Sequence, residues 1–248
     1  MKIQTVTVDL WGTLLIDGPG TDDTSYKGHR VGAFDQVFRG SGKSYSTSRI
    51  ERAYDDSLEY LRRIWDTDRD VSATEHVKAI LRGIDRKLAE SADFYLLEAL
   101  VSAYSRPLTL VPPAFDDTAK PALETLRASG VALALVSNTM RTPGVALRKM
   151  LARAGLLPLF GHVVFSDEAL IRKPDPQIFH AALRKVNGDP ATAAHVGDDR
   201  LLDVQGAHAA GMRAIQVIGL SGHIAPDADG TIKQFAELPA AIAALGAE

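Results

Sequence analysis

Polar residues stand at the ends of several apolar runs in this chain, and their types are those that bind anions and metal ions. Asp9 follows the β-branched run at residues 5–8 and precedes a Gly-Thr pair. Such a run is typical of a strand buried on both faces. Ligands of open α/β sheets bind at the carboxyl ends of the strands. The position of Asp9 therefore predicts contact with a ligand, and capping of the next turn is the alternative.

Further polar groups follow later elements. Ser137 ends a second strand-like run, Lys173 stands with a proline before a helical pattern, and Asp198 follows a third apolar run with Asp203 shortly after it. Parallel strands place their carboxyl ends on one edge of a sheet, where ligands bind. We therefore expect these groups to converge on Asp9.

The set combines carboxylates with one hydroxyl and one ammonium group. Two close carboxylates repel each other unless a cation neutralises them, and oxygen ligands suit Mg²⁺. Asp9 and Asp198 would bind such an ion, which usually completes its shell with waters and substrate phosphate. Lys173 and Ser137 would then bind the remaining phosphoryl oxygens. Asp9 is the candidate nucleophile, forming an aspartyl-phosphate.

The pattern of apolar residues predicts the elements that position these groups. Helical and strand-like patterns alternate over residues 111–248, whereas residues 17–110 show helical patterns without strands between them. Alternation of this kind implies parallel strands with right-handed crossovers and helices on both faces. We predict an α/β fold: a doubly wound core domain from residues 1–16 and 111–248, interrupted by an all-helical insert at 17–110.

The composition limits the classes of partner. The chain has 248 residues, of which 46% are hydrophobic and 24% charged, as in a globular protein. The net charge of −3 comes from interspersed charges and argues against nucleic acid as a partner. No run approaches the ~18 to 20 apolar residues of a membrane span, and the absence of cysteine excludes disulfides and thiolate ligands. We expect a cytoplasmic protein that acts on a small molecule, and its oligomeric state stays open.

The polar groups stand in four short motifs that resemble, in order, those of the haloacid dehalogenase (HAD) superfamily of hydrolases. The motifs are DLWGTL at residues 9–14, Ser137-Asn138, Lys173-Pro174, and GDD at residues 197–199 with DVQGA at residues 203–207. The resemblance covers nearly the whole core. It implies a Rossmann-like core domain with a helical cap domain inserted after the first motif, in agreement with the insert at 17–110.

The resemblance also implies a role for each motif residue. Asp9 would be the nucleophile, and Ser137 and Lys173 would bind the phosphoryl group. Asp198 would bind Mg²⁺ beside Asp9 and the Trp11 backbone carbonyl; Asp203 is a further candidate ligand that would otherwise orient water or Lys173. The candidate substrate-binding residues are Trp11, Gly12, Thr13, Asn138 and, in the cap, Arg30.

Trp11 departs from the pattern of the family's phosphatases, which carry a second Asp two positions after the nucleophile. That Asp protonates the leaving group and then activates water, whereas an indole donates a hydrogen bond without exchanging a proton near neutral pH. General acid-base catalysis contributes ~10²- to 10⁴-fold, so ordinary phosphomonoesters should turn over slowly unless another group substitutes. The family's dehalogenases carry an aromatic residue here, but they lack the metal and the carboxylate at the position of Asp198.

These features predict a Mg²⁺-dependent hydrolase that acts through an aspartyl intermediate on a small, phosphorylated metabolite. Two alternatives stay open: a metal-independent 2-haloacid dehalogenase, suggested by Trp11, and a catalytically degenerate member that serves as a binding or regulatory module. The seven histidines show no ligand spacing and are predicted to be structural or on the surface. The metabolite is not predicted, because no motif determines the cap residues that select it.

Overall fold

The computed structural model describes residues 2–16, 23–218 and 222–246. The strands of this part of the chain are β1 Thr5–Val8, β2 Leu15–Ile16, β3 Ala114–Phe115, β4 Ala132–Ser137, β5 His162–Phe165, β6 Ala193–Gly197, β7 Arg213–Val217 and β8 Gly230–Ile232. Six of them form one parallel sheet in the order β5-β4-β1-β6-β7-β8. The short strands β2 and β3 pair antiparallel beside it. The predicted doubly wound α/β core is confirmed.

The helices of the described residues fall into two groups. Six follow one another between β2 and β3: α1 Asp23–Gly40, α2 Thr47–Trp65, α3 Ala73–Ile84, α4 Arg86–Ser91, α5 Phe94–Ser105 and α6 Pro107–Leu110. The others are interspersed with the remaining strands: α7 Ala119–Ala128, α8 Gly144–Arg153, α9 Ser166–Ala169, α10 Pro176–Lys185, α11 Gly206–Ala209 and α12 Leu238–Leu245. None of the helices in these ranges has the length and apolarity needed to cross a bilayer.

The centre of the sheet is buried on both faces. On one face Val6 and Leu133 pack in the larger hydrophobic cluster of the core, and on the other Ala134 and Val136 pack against α10 residues. Neighbouring side chains along a strand point to opposite faces, so each strand needs apolar groups at nearly every position. This explains why the strands are recognisable as continuous apolar runs in the sequence.

Helices α1 to α6 are called here the cap helices. Helices α1 to α5 share a separate hydrophobic cluster, whereas Leu108 of α6 packs in the core cluster. The separate cluster includes Phe34 from α1, Tyr54 from α2, Ile80 from α3 and Tyr104 from α5. The apolar positions of α2 recur at helical spacing and are buried, as expected of an amphipathic helix. The helical insert therefore has a core of its own, and domain boundaries at residues 17 and 110 stay a prediction.

The apolar pattern misplaces a few elements. The apolar pattern of residues 73–88 is typical of one continuous helix, but the structure divides it at Asp85, whose side chain accepts from the Leu88 N–H and begins a new helix. The pattern of residues 202–210 is also typical of an α-helix, but the structure has a π-helical turn, Arg200–Gln205, followed by α11. Strand β8 and the β2-β3 ribbon are absent from the prediction because two or three residues are too few to show a period.

Candidate active site at the carboxyl edge of the sheet

Asp9 lies directly after β1, at the carboxyl edge of the sheet. Its backbone N–H donates to the Val196 carbonyl of neighbouring β6 at 2.9 Å, and its side chain is buried. The chain then turns at Gly12, whose φ of +71° lies in the region that favours glycine. A Cβ atom at Gly12 would lie 2.5 Å from Asp198 Oδ2. Only glycine therefore lets the first motif turn this close to the fourth.

Three carboxylates meet at this edge. One oxygen from each of Asp9, Asp198 and Asp203 lies within 4.8 Å of the others. The Thr13 hydroxyl donates to Asp198 Oδ1 at 3.3 Å. The adjacent ends of β1 and β6 account for this convergence, since the two strands are parallel neighbours.

Lys173 reaches into the same cluster. Its Nζ lies 2.6 Å from Asp9 Oδ1 and 2.5 Å from Asp203 Oδ1, and its side chain is 2% exposed. Burial works against the charge of Lys173, but the two carboxylates outweigh it and raise the lysine pKa above its usual value. The lysine is therefore a permanent cation between the first and fourth motifs.

The carboxylates differ in how their environment shifts their pKa. Burial raises the pKa of Asp9 to about 6, although the Lys173 ammonium opposes the shift. Burial and the nearby Asp203 charge raise the pKa of Asp198 to about 6. Asp203 is also penalised by burial, but Lys173 and His195 outweigh that penalty and hold its pKa far below the usual range. All three are thus mainly ionised at neutral pH.

The donor set fits a divalent cation. Two buried carboxylates and one half-buried carboxylate face a single ammonium group within the described part of this cluster, so negative charge is in excess. Hard oxygen ligands of this kind suit Mg²⁺, which is commonly held by one or two carboxylates. Among the described residues, donors contact one oxygen each of Asp9 and Asp198 but both oxygens of Asp203, so Asp9 and Asp198 are the better candidate ligands. Coordination by the Trp11 carbonyl and by Asp203 stays a prediction.

The second and third motifs hold each other in place. Asn138 Oδ1 accepts from the Lys173 N–H at 2.9 Å, and Asn138 Nδ2 donates to the Lys173 carbonyl at 3.1 Å. Ser137 is fully buried at the end of β4, and its Oγ lies 3.5 Å from the Asn138 carbonyl. The amide pairing indicates a positioning role for Asn138, whose contact with substrate stays a prediction. Ser137 lies at the predicted edge, one strand from Asp9.

The turn after β6 brings Asp203 into the cluster. Asp199 caps the π-helical turn, because its Oδ1 accepts from the Leu201 and Leu202 N–H groups at 2.8 Å. The Asp199 N–H in turn donates to Asp203 Oδ2 at 2.9 Å. Single π-helical turns are frequent at functional sites. The wider turn places Asp203, four residues after Asp199, in contact with Lys173.

Trp11 is the residue predicted to replace the general acid of the family's phosphatases, and this replacement stays a prediction. It packs partly buried against the core cluster and forms an isolated bridge with Leu15. Its Nε1 is enclosed and has no acceptor among the described residues. The side chain offers a hydrogen-bond donor but no titratable group at this position.

Arg30 lies where the cap helices meet the core, and its side chain is directed at protein oxygens. Its Nε donates to the Tyr104 carbonyl at 3.1 Å, Nη1 to the Tyr54 hydroxyl at 2.6 Å, and Nη2 to the Arg141 carbonyl at 2.8 Å. It is 1% exposed. These contacts join α1 to the segment after the second motif, and substrate binding by Arg30 stays a prediction.

The loop between α2 and α3, residues 66–72 and called here the cap loop, contacts the segment that precedes Lys173. Arg69 and Ile171 form an antiparallel bridge. The Arg172 N–H donates to the Asp68 carbonyl at 3.2 Å. The chain that carries the lysine is therefore paired by main-chain atoms to the helical insert.

Side chains reinforce the cap loop on both sides. Each contact joins a residue of the insert to one of the core: Arg69 to Asp175 at 2.6 Å, Asp70 to the Ser166 hydroxyl at 2.6 Å, and Trp65 to the Arg172 guanidinium, 4.6 Å from the ring centre. A stacked arginine and a buried carboxylate are stronger contacts than exposed ion pairs. The cap loop is thus a firm contact beside the site.

His195 is a site neighbour that the spacing of the histidines does not reveal. It is fully buried on β6, and its Nε2 lies 3.0 Å from Asp203 Oδ1. Its Nδ1 lies 2.7 Å from the Thr7 hydroxyl. The signal available in the sequence is the presence of polar residues, Thr7 and His195, inside runs that are otherwise apolar, since buried polar groups are informative.

Comparisons with known proteins agree with this geometry. The model of a family described as haloacid dehalogenase-like hydrolase matches residues 3–211. Haloacid dehalogenase-like hydrolase domain-containing protein 3 of Homo sapiens is 39% identical over 124 residues, 50% of this chain and 47% of the relative. A phosphoserine phosphatase of Thermus thermophilus is 44% identical over 91 residues, 37% of this chain and 35% of the relative.

A third relative is a glyceraldehyde 3-phosphate phosphatase of Methanopyrus kandleri, 32% identical over 134 residues, 53% of this chain and 55% of the relative. The chain thus matches roughly a third to a half of the length of these curated relatives.

Solved structures share the fold. A 2-haloacid dehalogenase from Pseudomonas syringae aligns over 98% of this chain and 99% of its own, with a TM-score of 0.69 and 22% identity. A HAD phosphatase from Thermococcus onnurineus aligns over 100% of this chain and 99% of its own, with a TM-score of 0.62 and 24% identity. At this level of identity the two likenesses concern the fold alone.

Proposed function

Because the chain belongs to the haloacid dehalogenase-like hydrolase family, we propose that it is a Mg²⁺-dependent hydrolase that uses Asp9 as nucleophile on a small phosphorylated metabolite. The observation that carries the proposal is the meeting of Asp9, Asp198 and Asp203 within 4.8 Å, with the Lys173 ammonium among them. Relatives whose names specify phosphoserine and glyceraldehyde 3-phosphate support a phosphorylated metabolite.

The chain's own residues supply the covalent step. An Asp9 oxygen attacks phosphorus, so that a bond forms between Asp9 and the phosphoryl group while the ester oxygen leaves with the bonding electrons. Lys173 and Ser137 bind phosphoryl oxygens and stabilise the charge that accumulates on them. Water then attacks the aspartyl-phosphate, which releases inorganic phosphate and regenerates Asp9. Mg²⁺ held by Asp9 and Asp198 would polarise the phosphoryl oxygen and neutralise part of its charge.

Trp11 limits the class of substrates that the proposed reaction can hydrolyse. With no carboxylate two positions after Asp9, the leaving oxygen departs without a proton from that position. The rate falls least for leaving groups that are stable as anions, because they need no proton in order to depart. Acyl phosphates and activated phosphoesters are therefore the preferred substrate class in this proposal.

The test uses 4-nitrophenyl phosphate, whose leaving group needs no acid. We expect turnover with Mg²⁺, loss of turnover in EDTA, and a fall of at least ~10³-fold for Asp9→Asn, in line with removal of a covalent nucleophile. Release of 4-nitrophenol is followed by absorbance. Activity that persists both in EDTA and in Asp9→Asn would contradict the proposal.

A second candidate is metal-independent dehalogenation of a 2-haloacid, which the aromatic side chain of Trp11 favours. Here the Asp9 carboxylate would displace halide from the substrate carbon, and no acid is needed because halide leaves as a stable anion. The carboxylate of Asp198 argues against it. Chloride release from 2-chloropropionate in EDTA would establish this activity. A protein inactive in both assays and not stabilised by vanadate with Mg²⁺ would be the degenerate binding module.

A further inference from the structure

A continuous set of buried hydrogen bonds lies behind the site. It runs from Thr7 to His195 at 2.7 Å, from His195 to Asp203 at 3.0 Å, from Asp203 to Lys173 at 2.5 Å, and from Lys173 to Asp9 at 2.6 Å. All five residues are at most 4% exposed. The reacting carboxylate is thus connected to the interior of the sheet through side chains alone.

The geometry assigns the proton on His195. An ionised carboxylate only accepts hydrogen bonds, so the contact with Asp203 requires the proton on Nε2. Nδ1 then faces the Thr7 hydroxyl at 2.7 Å. Thr7 and His195 are direct partners in the pairing of β1 with β6. Strand register therefore places the hydroxyl beside Nδ1 and leaves Nε2 to Asp203.

Packing holds the ring and the carboxylate in one orientation. The Phe179 ring meets the His195 ring in a T-shaped contact, with centroids 4.9 Å apart. Asp203 rests on Gly197, where a Cβ atom would lie 2.2 Å from Asp203 Cγ. The carboxylate receives three donors: Lys173 and His195 on Oδ1, and the Asp199 N–H on Oδ2. It has little freedom to rotate.

We propose that His195, oriented by Thr7, is a positioning residue for the reaction: its Nε2–H fixes the Asp203 carboxylate, which in turn directs the Lys173 ammonium toward Asp9. The inference rests on the proposed function for its effect on turnover. Without the imidazole donor, Asp203 can rotate toward Lys173 and draw the ammonium away from the phosphoryl oxygens. His195 itself touches neither substrate nor metal ligand Asp9.

The first test is spectroscopic and needs no activity. Long-range ¹H–¹⁵N spectra of the full-length protein labelled at histidine report which ring nitrogen is protonated, and His195→Gln identifies the signal. We expect His195 to be the Nε2–H tautomer at pH 7.5. The Nδ1–H tautomer would overturn the inference, even if the protein proves to be an active hydrolase. Conversely, an inactive protein with the Nε2–H tautomer would count against the proposed function alone.

The second test is kinetic and compares three substitutions. His195→Phe keeps ring volume without a donor, and we expect kcat for 4-nitrophenyl phosphate to fall by ~10- to 100-fold, as expected for a lost hydrogen bond to a charged group. His195→Gln retains an N–H donor and should recover part of kcat. Thr7→Val removes the hydroxyl that orients the ring and should show a smaller loss with little change in fold.

A matched control is His180→Gln. The Nε2 of His180 lies 3.0 Å from the Ala210 carbonyl, away from the cluster, so its loss should leave kcat unchanged. Wild-type kcat in His195→Phe, measured well below its Tm, would overturn the positioning role. If His195→Phe fails to fold, the comparison passes to Thr7→Val, and a kcat equal to that of wild type would overturn the inference as well.

Discussion

In the proposed reaction, Trp11 would determine which leaving groups can be expelled, because an indole cannot supply a proton near neutral pH. It lies two residues after Asp9, one of the three clustered carboxylates. The proposal therefore predicts that the rate depends steeply on the stability of the departing anion.

Replacement of Trp11 by Asp should therefore change the dependence on the leaving group. The leaving group of phenyl phosphate is phenoxide, which is a poorer leaving group than 4-nitrophenoxide. We expect Trp11→Asp to raise kcat for phenyl phosphate at least ~10-fold more than kcat for 4-nitrophenyl phosphate, since general acid catalysis is worth ~10²- to 10⁴-fold. The ratio of the two kcat values is the measurement. Trp11→Asn is the control, because the asparagine side chain has the size of aspartate but cannot act as a general acid. An equal change for both substrates would contradict the prediction.

The raised pKa values of Asp9 and Asp198, both about 6, predict how Mg²⁺ binding stabilises the protein. Each group binds its proton more tightly when folded than when unfolded, so its stabilisation is present below about pH 4 and is lost as pH rises through about 6. Mg²⁺ relieves this loss by binding the ionised carboxylates.

We therefore expect saturating Mg²⁺ to raise the Tm by about 5 °C or more at pH 7.5, and by about 1 °C or less at pH 4.5. Differential scanning fluorimetry with and without EDTA gives the comparison. Asp198→Asn should abolish the shift at pH 7.5. A shift of equal size at the two pH values would show that the ion binds elsewhere.

At the scale of elements, the longer strands and the candidate site residues that follow them could be predicted from one regularity. The run before Asp9 is apolar because β1 is buried on both faces, and the polar group that ends it must lie at the carboxyl edge. The same logic locates Ser137 and Asp198. The positions of such residues depend on where each strand ends, and the apolar pattern indicates those ends.

Other contacts depend on three-dimensional geometry that cannot be predicted from a local sequence pattern. The place of His195 beside Asp203 follows from the register of β1 with β6 and from a π-helical turn. A turn of six residues is too short to distinguish by period from an α-helix. Substrate binding by Arg30 stays a prediction, and the hydrogen bonds of its side chain depend on how α1 meets the loop near Arg141.

The cap loop yields a prediction at the same scale. Asp70 is buried, which raises its pKa, but hydrogen bonds from His76, Ser166 and Trp65 outweigh burial and lower it. Asp70→Asn removes the charge that these donors satisfy, and we expect the free energy of unfolding to fall by about 1–3 kcal/mol. Urea unfolding at pH 7.5 measures it.

The control for Asp70→Asn is Asp66→Asn, an exposed residue of the same loop. It should change the free energy of unfolding by less than about 0.5 kcal/mol. The pKa of Asp70 is lower in the folded than in the unfolded state, so the ionised carboxylate stabilises the fold above the unfolded pKa and this stabilisation is lost as pH falls. The difference in free energy of unfolding between wild type and Asp70→Asn should therefore shrink below about pH 4. A constant difference would refute the role of the charge.

Over the whole molecule, the hydrophobic cluster of the cap helices is separate from the two clusters that cover the sheet, and buried polar contacts join the insert to the core. The cap helices pack around Phe34 and Tyr104, and the core packs around the sheet. Arg30 connects them, since it binds Tyr54 and Tyr104 on the cap side and the Arg141 carbonyl on the core side. Cooperative unfolding of the two parts depends on contacts of this kind.

Arg30→Met should uncouple the two parts. We expect its calorimetric unfolding to depart from a single two-state transition, with a ratio of calorimetric to van't Hoff enthalpy above one. Arg39→Met is the control, because Arg39 lies on the same helix, its side chain is 71% exposed, and within the described residues it pairs with Asp35, four positions before it. A single transition in Arg30→Met, shifted but unbroken, would show that other contacts suffice.

The antiparallel bridge between Arg69 and Ile171 has a consequence for how this contact can vary in sequence. Main-chain hydrogen bonds do not depend on the side chain that a residue carries, so a substitution of Arg69 would remove its ion pair with Asp175 and leave the backbone pairing in place. Asp68 is more restricted, because its φ of +56° lies in the left-handed region that few side chains adopt without strain.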